Sequence, residues 1–238
     1  MPDIEAQLAP NNYFFSHSLL YTYDPFTQFG LVVSTQVNRN WVVQVGISAS
    51  NDNAPWTSSA KPSPLACLRW NSDSSDDSVY LCDNGTNDGR YGYNNVQLYV
   101  STWYHKFSSR WHMAWETYYE YETQVPTVST IPGAKPALLH SGTRCFAPTY
   151  ASVHYLLYQL SDADLIGLRN EVFNDERGQR TGFKSLYTEH TVSWSHFLSK
   201  SLVVRPEIRF EHSYDAKAYN TGRANSQLTF AADVIIKY

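Results

Sequence analysis

The chain has 238 residues, of which 17% are charged and 15% are aromatic, and its formal net charge is −4. A negative net charge gives no electrostatic basis for binding nucleic acid, so nucleic acid is excluded as a partner. Few charges combined with many Tyr and Trp residues favour a wall with lipid on one side and water on the other, because these amphipathic rings settle at such boundaries.

The length suits one all-β domain, and no run reaches the roughly 18 to 20 apolar residues of a membrane helix. Residues 1–5 lack the basic and apolar parts of a secretory signal. A barrel that is delivered across an inner membrane needs that signal. We therefore expect residues 1–238 to form a single outer-membrane β-barrel domain, the C-terminal portion of a longer and N-terminally truncated barrel.

Alternation of apolar and polar residues predicts an antiparallel, up-and-down transmembrane β-barrel. The clearest alternating segments are 41–49, 95–107, 110–122, 201–213 and 228–238. Further strands are predicted at 16–23, 26–37, 147–160, 164–173 and 183–197. The total is about 10 to 12 strands, many of them close to the length that a tilted membrane strand requires.

The connections between the predicted strands alternate in length. Short turns are expected at 38–40, 108–109 and 161–163. Long polar loops are expected at 51–63, 71–94, 124–143 and 214–224. This asymmetry is typical of outer-membrane barrels, which have short periplasmic turns and long extracellular loops.

Parity along each strand predicts which side chains face the lumen. A basic group on the lipid side would cost about 2–4 kcal/mol at the midplane, so charged positions are assigned inward. In 95–107, the apolar Val96, Leu98 and Val100 are assigned outward, which places His105 inward. The predicted lumen-lining residues are His105, His112, Glu116, Glu120, Arg169, Glu171, Glu189, Arg205, Glu207, Arg209, Glu211 and Asp233.

The opposite parity predicts the membrane-facing residues, which are aromatic or aliphatic. They are Trp111, Trp115, Tyr119, Ile208, Phe210, Phe230, Val234, Ile236 and Tyr238. The charged lumen residues either form cross-strand pairs that brace and fill the barrel or line an aqueous path that sets ion preference. The sequence leaves both roles open.

Four motifs in a fixed order carry a family resemblance. They are 4–12 (IEAQLAPNN), 168–175 (LRNEVFND), 178–182 (GQRTG) and 205–210 (RPEIRF), followed by a terminal strand that ends in an aromatic residue. Together they resemble the β-barrel porin-2, or OmpL-like, family of outer-membrane proteins. The resemblance implies a bacterial outer-membrane location and upstream strands that this chain lacks. It also implies that the C-terminal strand is recognised by the barrel assembly machinery.

No catalytic residue, metal ligand set or cofactor site is predicted. Cys67 and Cys82 flank a polar stretch, and a disulfide between them and unpaired thiols are equally compatible with the sequence. An enzymatic alternative is a barrel lipase, which would use His190 or His212 on the outer wall. No outward-facing serine is expected beside either histidine, so a non-enzymatic protein is predicted.

The function expected from these features is passive diffusion of small polar solutes or ions through a charged lumen in a bilayer. The first alternative is a non-conducting structural or adhesive outer-membrane barrel. The second is a soluble carbohydrate-binding β-sandwich that would use Trp56, Trp70 and Trp103 as stacking platforms.

Overall fold

The computed structural model describes residues 4–58, 60–92, 95–126 and 145–237. These residues form one antiparallel sheet of 11 strands, in which each strand pairs with the next strand in the sequence. The strands are β1 (Gln28–Gln36), β2 (Trp41–Asn51), β3 (Ser63–Asn71), β4 (Asp77–Asp83), β5 (Gln97–Lys106), β6 (Trp111–Val125), β7 (Cys145–Ser161), β8 (Asp164–Asp175), β9 (Ser185–Ser199), β10 (Leu202–Ser213) and β11 (Ser226–Ile236). A 3-10 turn (Ala9–Asn11) and a short helix α1 (Leu19–Tyr23) precede them.

The prediction of an all-β, up-and-down barrel fold with about 10 to 12 strands is confirmed. The sheet is not closed among the described residues, because β1 and β11 each pair with one neighbour only. The two edge strands both run from the same end of the sheet to the other, so they cannot pair with each other in antiparallel fashion. A single sheet also rules out the two packed layers of the β-sandwich alternative.

Two predicted elements are wrong. Residues 16–23 do not form a strand, because Ser18 caps a helical turn there by accepting a hydrogen bond from the Tyr21 backbone N–H (3.1 Å). The expected long loop at 71–94 contains β4. Its Asp- and Ser-rich sequence concealed a strand that pairs with β3 and β5 over its whole length.

The connections of the sheet fall at two different ends. Turns at 37–40, 72–76, 107–110, 162–163 and 200–201 lie at one end, which we name the short-turn end. Longer connections at 52–62, 84–96, 176–184 and 214–225 lie at the other, which we name the long-loop end. The predicted loop at 124–143 falls largely outside the described residues. None of the described helices is long and apolar enough to cross a membrane.

Residues 4–24, here named the inner segment, pack against one face of the sheet, which we name the inner face. The hydrophobic core lies on this side and includes Phe14 and Leu20 of the inner segment together with Val153 and Phe173 of the wall. Odd-numbered residues of β8, β9 and β10 and even-numbered residues of β6 point to the inner face and are mostly buried.

A disulfide joins Cys67 and Cys82, which are directly paired residues of β3 and β4 with Cα atoms 4.2 Å apart. The sequence left this bond open, and the register of the two strands explains it. Cys145 is a free thiol.

Candidate functional site: the inner face and the inner segment

The inner segment is fixed to the wall by its main chain. Three glutamates of the inner face accept hydrogen bonds from backbone N–H groups of the segment. The pairs are Ile4 with Glu116 (3.0 Å), Phe15 with Glu207 (2.9 Å) and Leu19 with Glu171 (2.7 Å). Carboxylate acceptors therefore satisfy donors that would otherwise be buried without partners.

Three arginines of the inner face do the converse and donate hydrogen bonds to backbone carbonyls of the segment. The pairs are Arg169 with Ser16 (2.7 Å), Arg205 with Asn12 and Arg209 with His17. Both polarities of the segment's peptide groups are thus bound by charged side chains of the wall. This arrangement holds an irregular chain inside the sheet without any strand pairing.

Arg169 lies at the centre of this contact and is completely buried. Its guanidinium binds Glu189 of the neighbouring strand (Nε–Oε2, 2.9 Å) and Glu5 of the inner segment (Nη1–Oε1, 2.9 Å). The ring of Phe14 lies 5.0 Å from the guanidinium carbon, within the range of a cation–π contact. Arg169 therefore couples the wall to the inner segment.

Glu5 is the segment's own carboxylate in this cluster. Burial opposes its ionisation, but the charges of Arg169 and the hydrogen bond from His17 prevail and lower the pKa of Glu5. The Tyr155 hydroxyl donates a further hydrogen bond to it (2.9 Å). Glu5 is consequently ionised at neutral pH and stabilises the docked segment.

The register arranges the inner-face charges in rows across the strands. One row contains Glu116, Val153, Glu171, Glu189 and Glu211 on five consecutive strands. The adjacent row contains Ala114, Tyr155, Arg169, Thr191 and Arg209. A row of carboxylates thus lies beside a row with two arginines, which keeps opposite charges at contact distance.

The loop between β8 and β9 also folds onto the inner face. Arg180 donates from Nε to Oε1 of Glu120 on β6 (2.9 Å), and Gln179 donates to Glu122. Asp175 holds the loop by accepting hydrogen bonds from the backbone of Arg180 and Thr181 (3.0 and 2.8 Å). Burial opposes the charge of Arg180, but Glu120 outweighs it and raises the pKa of Arg180.

All the predicted lumen-lining residues except one lie on the inner face. Glu116, Glu120, Arg169, Glu171, Glu189, Arg205, Glu207 and Glu211 are buried there, and His112, Arg209 and Asp233 are partly exposed. His112 packs against Tyr13 of the inner segment with the two rings tilted (5.9 Å between ring centroids), and Asp233 pairs with Arg205 (2.6 Å). Most of these charges contact protein groups.

The assignment of His105 to the lumen is wrong. His105 pairs with Met113, and its neighbour Trp103 pairs with Trp115, both on the outer face. The apolar parity of β5 points inward because Leu98 and Val100 belong to the hydrophobic core. In β5 the apolar side chains therefore face inward. On the other strands with predicted lumen residues, most apolar side chains face outward and the predicted lumen residues face inward, as the sequence predicted.

The predicted membrane-facing residues lie on the outer face as far as they are described. Phe230 and Ile236 are the most exposed, at 72% and 69%. Neighbouring strands bring the aromatic rings together, as in Trp111 with Tyr158 (4.3 Å between centroids) and Tyr119 with Tyr150 (4.9 Å). The remaining predicted residues on this face are Trp115, Ile208, Phe210 and Val234. Tyr238 lies outside the described residues.

A motif that was not predicted from the sequence occurs twice on the outer face at the short-turn end. In each copy, an Asp directly after a short turn binds the Trp and His of a W-x-H sequence. Asp77 binds Trp103 (3.1 Å) and His105 (2.7 Å), and Asp164 binds Trp194 (2.9 Å) and His196 (2.8 Å). Each cluster satisfies the indole N–H of a Trp at the strand end, as a boundary between water and lipid requires.

The histidines of the enzymatic alternative have different partners. His190 contacts the Asn170 side chain (2.8 Å), and His212 contacts the Ser226 hydroxyl (2.7 Å). The expectation that no outward serine lies beside either histidine is therefore wrong for His212. In the described part of the chain, His212 has no hydrogen bond to a carboxylate, the group that commonly orients a catalytic histidine. The described residues also contain no group of three or more potential metal ligands.

Solved structures with a similar fold are porins and outer-membrane channels. A porin refined at 1.8 Å has a TM-score of 0.58 and 9% identity, over 88% of this chain and 61% of that chain. The outer-membrane channel DcaP of Acinetobacter baumannii has a TM-score of 0.55 and 10% identity, over 87% and 62%. The anion-selective porin from Comamonas acidovorans has a TM-score of 0.55 and 11% identity, over 86% and 57%. The chain thus spans less than two thirds of the length of these structures, and at such identities the likeness shows the fold alone.

No curated protein matches the chain. Residues 3–238 match the model of a family described as "Putative beta-barrel porin-2, OmpL-like". The match covers nearly the whole sequence and includes the inner segment, the Arg180 loop and the edge strand β11. The chain therefore belongs to the β-barrel porin-2, OmpL-like family.

Proposed function

We propose that this protein is an outer-membrane porin-like channel through which small polar solutes diffuse passively. The observation that carries the proposal is the division of the wall into two faces. The outer face exposes residues such as Phe230, Val234 and Ile236, whereas the inner face carries charged residues. A wall of this kind separates hydrocarbon from water.

The two ends of the sheet fit this location. In such barrels the short turns face the periplasm and the long loops face the exterior. The clusters of Asp77 and Asp164 lie at the short-turn end and place Trp103 and Trp194 where the aromatic belt of a membrane protein is expected. The bilayer is thus the proposed environment of the outer face.

The inner segment narrows the lumen in this proposal. Its hydrogen-bonded contacts, from Glu116 to Glu207, extend over β6 to β10 and fill that side with protein. These hydrogen bonds involve none of the strands β1 to β5, whose inner face includes exposed polar residues such as Gln36 and Arg69 towards the short-turn end. Solutes would pass along this side.

Besides the bilayer, we propose the barrel assembly machinery as a partner of the C-terminal strand. In β11 the apolar residues Leu228, Phe230, Val234 and Ile236 occupy outward positions, and β11 is an edge of the sheet. An unpaired edge with this pattern suits recognition by the barrel assembly machinery, as the family membership suggests.

One observation favours the alternative of a non-conducting structural or adhesive barrel. Arg169 and Arg205 are the largest fully buried side chains, and the charged rows around them are occupied by the inner segment. A lumen filled in this way over its whole width would not conduct. A conducting and a non-conducting barrel would have the same membrane-embedded wall, so only a conductance measurement distinguishes the two functions.

The test is expression of the full chain with a cleavable signal peptide, followed by membrane fractionation and planar-bilayer recordings. We expect protein in the outer-membrane fraction, heat-modifiable gel mobility and discrete conductance steps. Outer-membrane protein without conductance would support the non-conducting alternative. Folded protein in the soluble fraction would overturn both.

A further inference from the structure

A polar recess of about 710 Å³ opens at the short-turn end beside β2 to β5. Inner-face residues of the strands line it, among them Arg69, Asn71 and Tyr104, and turn residues Arg39 and Asp73 form its rim. The volume lies within the range of pockets that bind small molecules. Its lining residue Arg69 is exposed, whereas Leu98 and Val100 of β5, farther from this end, are buried in the core with the inner segment.

The inner face of β1 to β5 has an unbalanced charge. These strands are completely described, and their inward positions include Arg69 and Lys106 but no Asp or Glu. The acidic residues of this region, Asp77 and Asp83, occupy the outward parity. The inner face of β6 to β10, in contrast, carries many glutamates. The inward positions of β1 to β5 therefore carry a net positive charge.

The two arginines of the recess differ in their partners. Arg39 forms an ion pair with Asp73 on the rim (Nε–Oδ1, 2.9 Å). Hydrogen bonds from Asn40 and Arg39 lower the pKa of Asp73, so this carboxylate stays charged and neutralises Arg39. Arg69 donates from Nε to the side-chain oxygen of Asn71 (3.2 Å) and has no ion pair with any described residue.

Lys106 adds a second unpaired cation to the same face. It is exposed, it lies opposite His112 of β6, and the described residues form no ion pair with it. A guanidinium with free Nη groups presents two parallel donors that match a carboxylate or phosphate. Lys106 does not line the recess, but an ammonium on the same face attracts such a group as a point charge.

We propose that this recess binds small organic anions that carry a carboxylate or phosphate, with Arg69 as the principal ligand and Lys106 as the source of additional positive potential. The hydroxyl of Tyr104 and the side chains of Asn71 and Ser78 supply neutral hydrogen-bonding groups around the anion. The inference rests on the proposed channel function, for which it supplies the class of preferred solute: anions over cations of similar size.

Two measurements on the full chain test this site. The first is the reversal potential of wild-type channels in a potassium chloride gradient. We expect the chloride-to-potassium permeability ratio to exceed unity and to fall about twofold or more in Arg69→Gln, because charged side chains that line an ion path set ion preference. Lys106→Gln should lower the ratio less. Arg223→Gln is the matched control and should leave it unchanged, since it removes an exposed guanidinium at the long-loop end, away from the recess.

The second measurement is calorimetric binding of citrate to detergent-purified protein, which does not require conduction. Citrate affinity should fall about tenfold or more in Arg69→Gln, the expected effect of losing a charge-assisted contact. Arg69→Lys should retain ion preference but bind citrate more weakly, because it lacks the paired donors. Arg223→Gln should bind as wild type.

The outcomes separate the anion site from the channel. If the protein binds citrate through Arg69 but does not conduct, the proposed anion site is supported and the proposed channel function is wrong. Conducting wild-type protein with a ratio at or below unity, or with equal citrate binding by wild type and Arg69→Gln, would overturn the anion site and leave the channel in place.

Discussion

Gly167 and Phe14 are in such close contact that a Cβ atom at position 167 would lie 2.8 Å from Cζ of the Phe14 ring. Real Cβ atoms do not approach other atoms so closely. The Phe14 ring therefore occupies the space that a side chain at position 167 would fill. The absence of a side chain at Gly167 thus allows the inner segment to pack beside Arg169.

The first prediction follows from this contact. Gly167→Ala should displace the Phe14 ring and destabilise the docked segment by about 1–3 kcal/mol, the usual cost of overpacking. Limited proteolysis should show faster cleavage within residues 4–24. In the Phe14→Ala background the same substitution should cost much less, because the colliding ring is gone. Equal effects in the two backgrounds would show that the ring is not what Gly167 accommodates.

The second prediction concerns pH and Glu5. A carboxyl whose pKa is lowered by folding stabilises the folded arrangement above its ordinary pKa of 4.5 and loses this effect as the pH falls through the lower folded value. The inner segment should therefore become more accessible to an acid-active protease as the pH falls below 4.5. Glu5→Gln should be loosened at neutral pH and should show a flatter response in this window.

The groups that face Glu5 come from the segment and from two strands of the wall. They are His17 of the segment, Tyr155 of β7 and Arg169 of β8, with Glu189 of β9 on the far side of the guanidinium. Of the two carboxylates in this group, Glu5 belongs to the segment and Glu189 to the wall. If Glu5→Gln and wild type showed the same pH profile, the acid response would belong to the wall instead.

The third prediction concerns the loop between β8 and β9. Arg180→Gln should lower the stability of the folded protein by about 1.5–3 kcal/mol, because the buried Glu120 would lose its charge-assisted hydrogen bonds from the guanidinium. The side chains of this pair are only 11% and 1% exposed. The urea midpoint in detergent is the measurement. Arg177→Gln is a control in the same loop, since Nε of Arg177 has no partner among the described residues.

The fourth prediction concerns the disulfide. Replacing both Cys67 and Cys82 with Ser should destabilise the β3–β4 hairpin by about 3 kcal/mol, as expected for a bond that closes a loop of this size. The two residues are separated by 15 positions. Cys145→Ser should change little, because that thiol is free. Equal thermal midpoints for the double variant and wild type would show that strand pairing alone holds the hairpin.

Much of the fold could be predicted from the sequence because charge and parity agree along several strands. In β10, Arg205 and Glu207 alternate with Pro206 and Ile208, so one register satisfies both the polar and the apolar positions. In β5 the signal fails, since Leu98 is apolar and nevertheless inward. The alternation of residues shows that a strand has two different faces. It does not show which face is the inner one when the interior of the barrel also contains a hydrophobic core.

The contacts of the inner segment could not be predicted from local patterns. Glu5 and Arg169 are 164 positions apart, and no spacing rule joins them. Residues 16–23 alternate well enough to suggest a strand, but their backbone groups bind Glu171 and Arg209 instead of a neighbouring strand. Such long-range pairings depend on the finished sheet.

The manner in which the wall holds the inner segment has a consequence for how the two parts can vary. Glu171, Glu207 and Arg205 bind peptide N–H and C=O groups, which every residue except proline supplies in full. Many different side chains in the segment would leave these contacts unchanged, whereas a single loss from the wall would remove one. These contacts therefore require particular amino acids only on the receptor strands, whereas in the segment particular side chains are required at positions such as Glu5 and Phe14, which contact the wall through their own side chains.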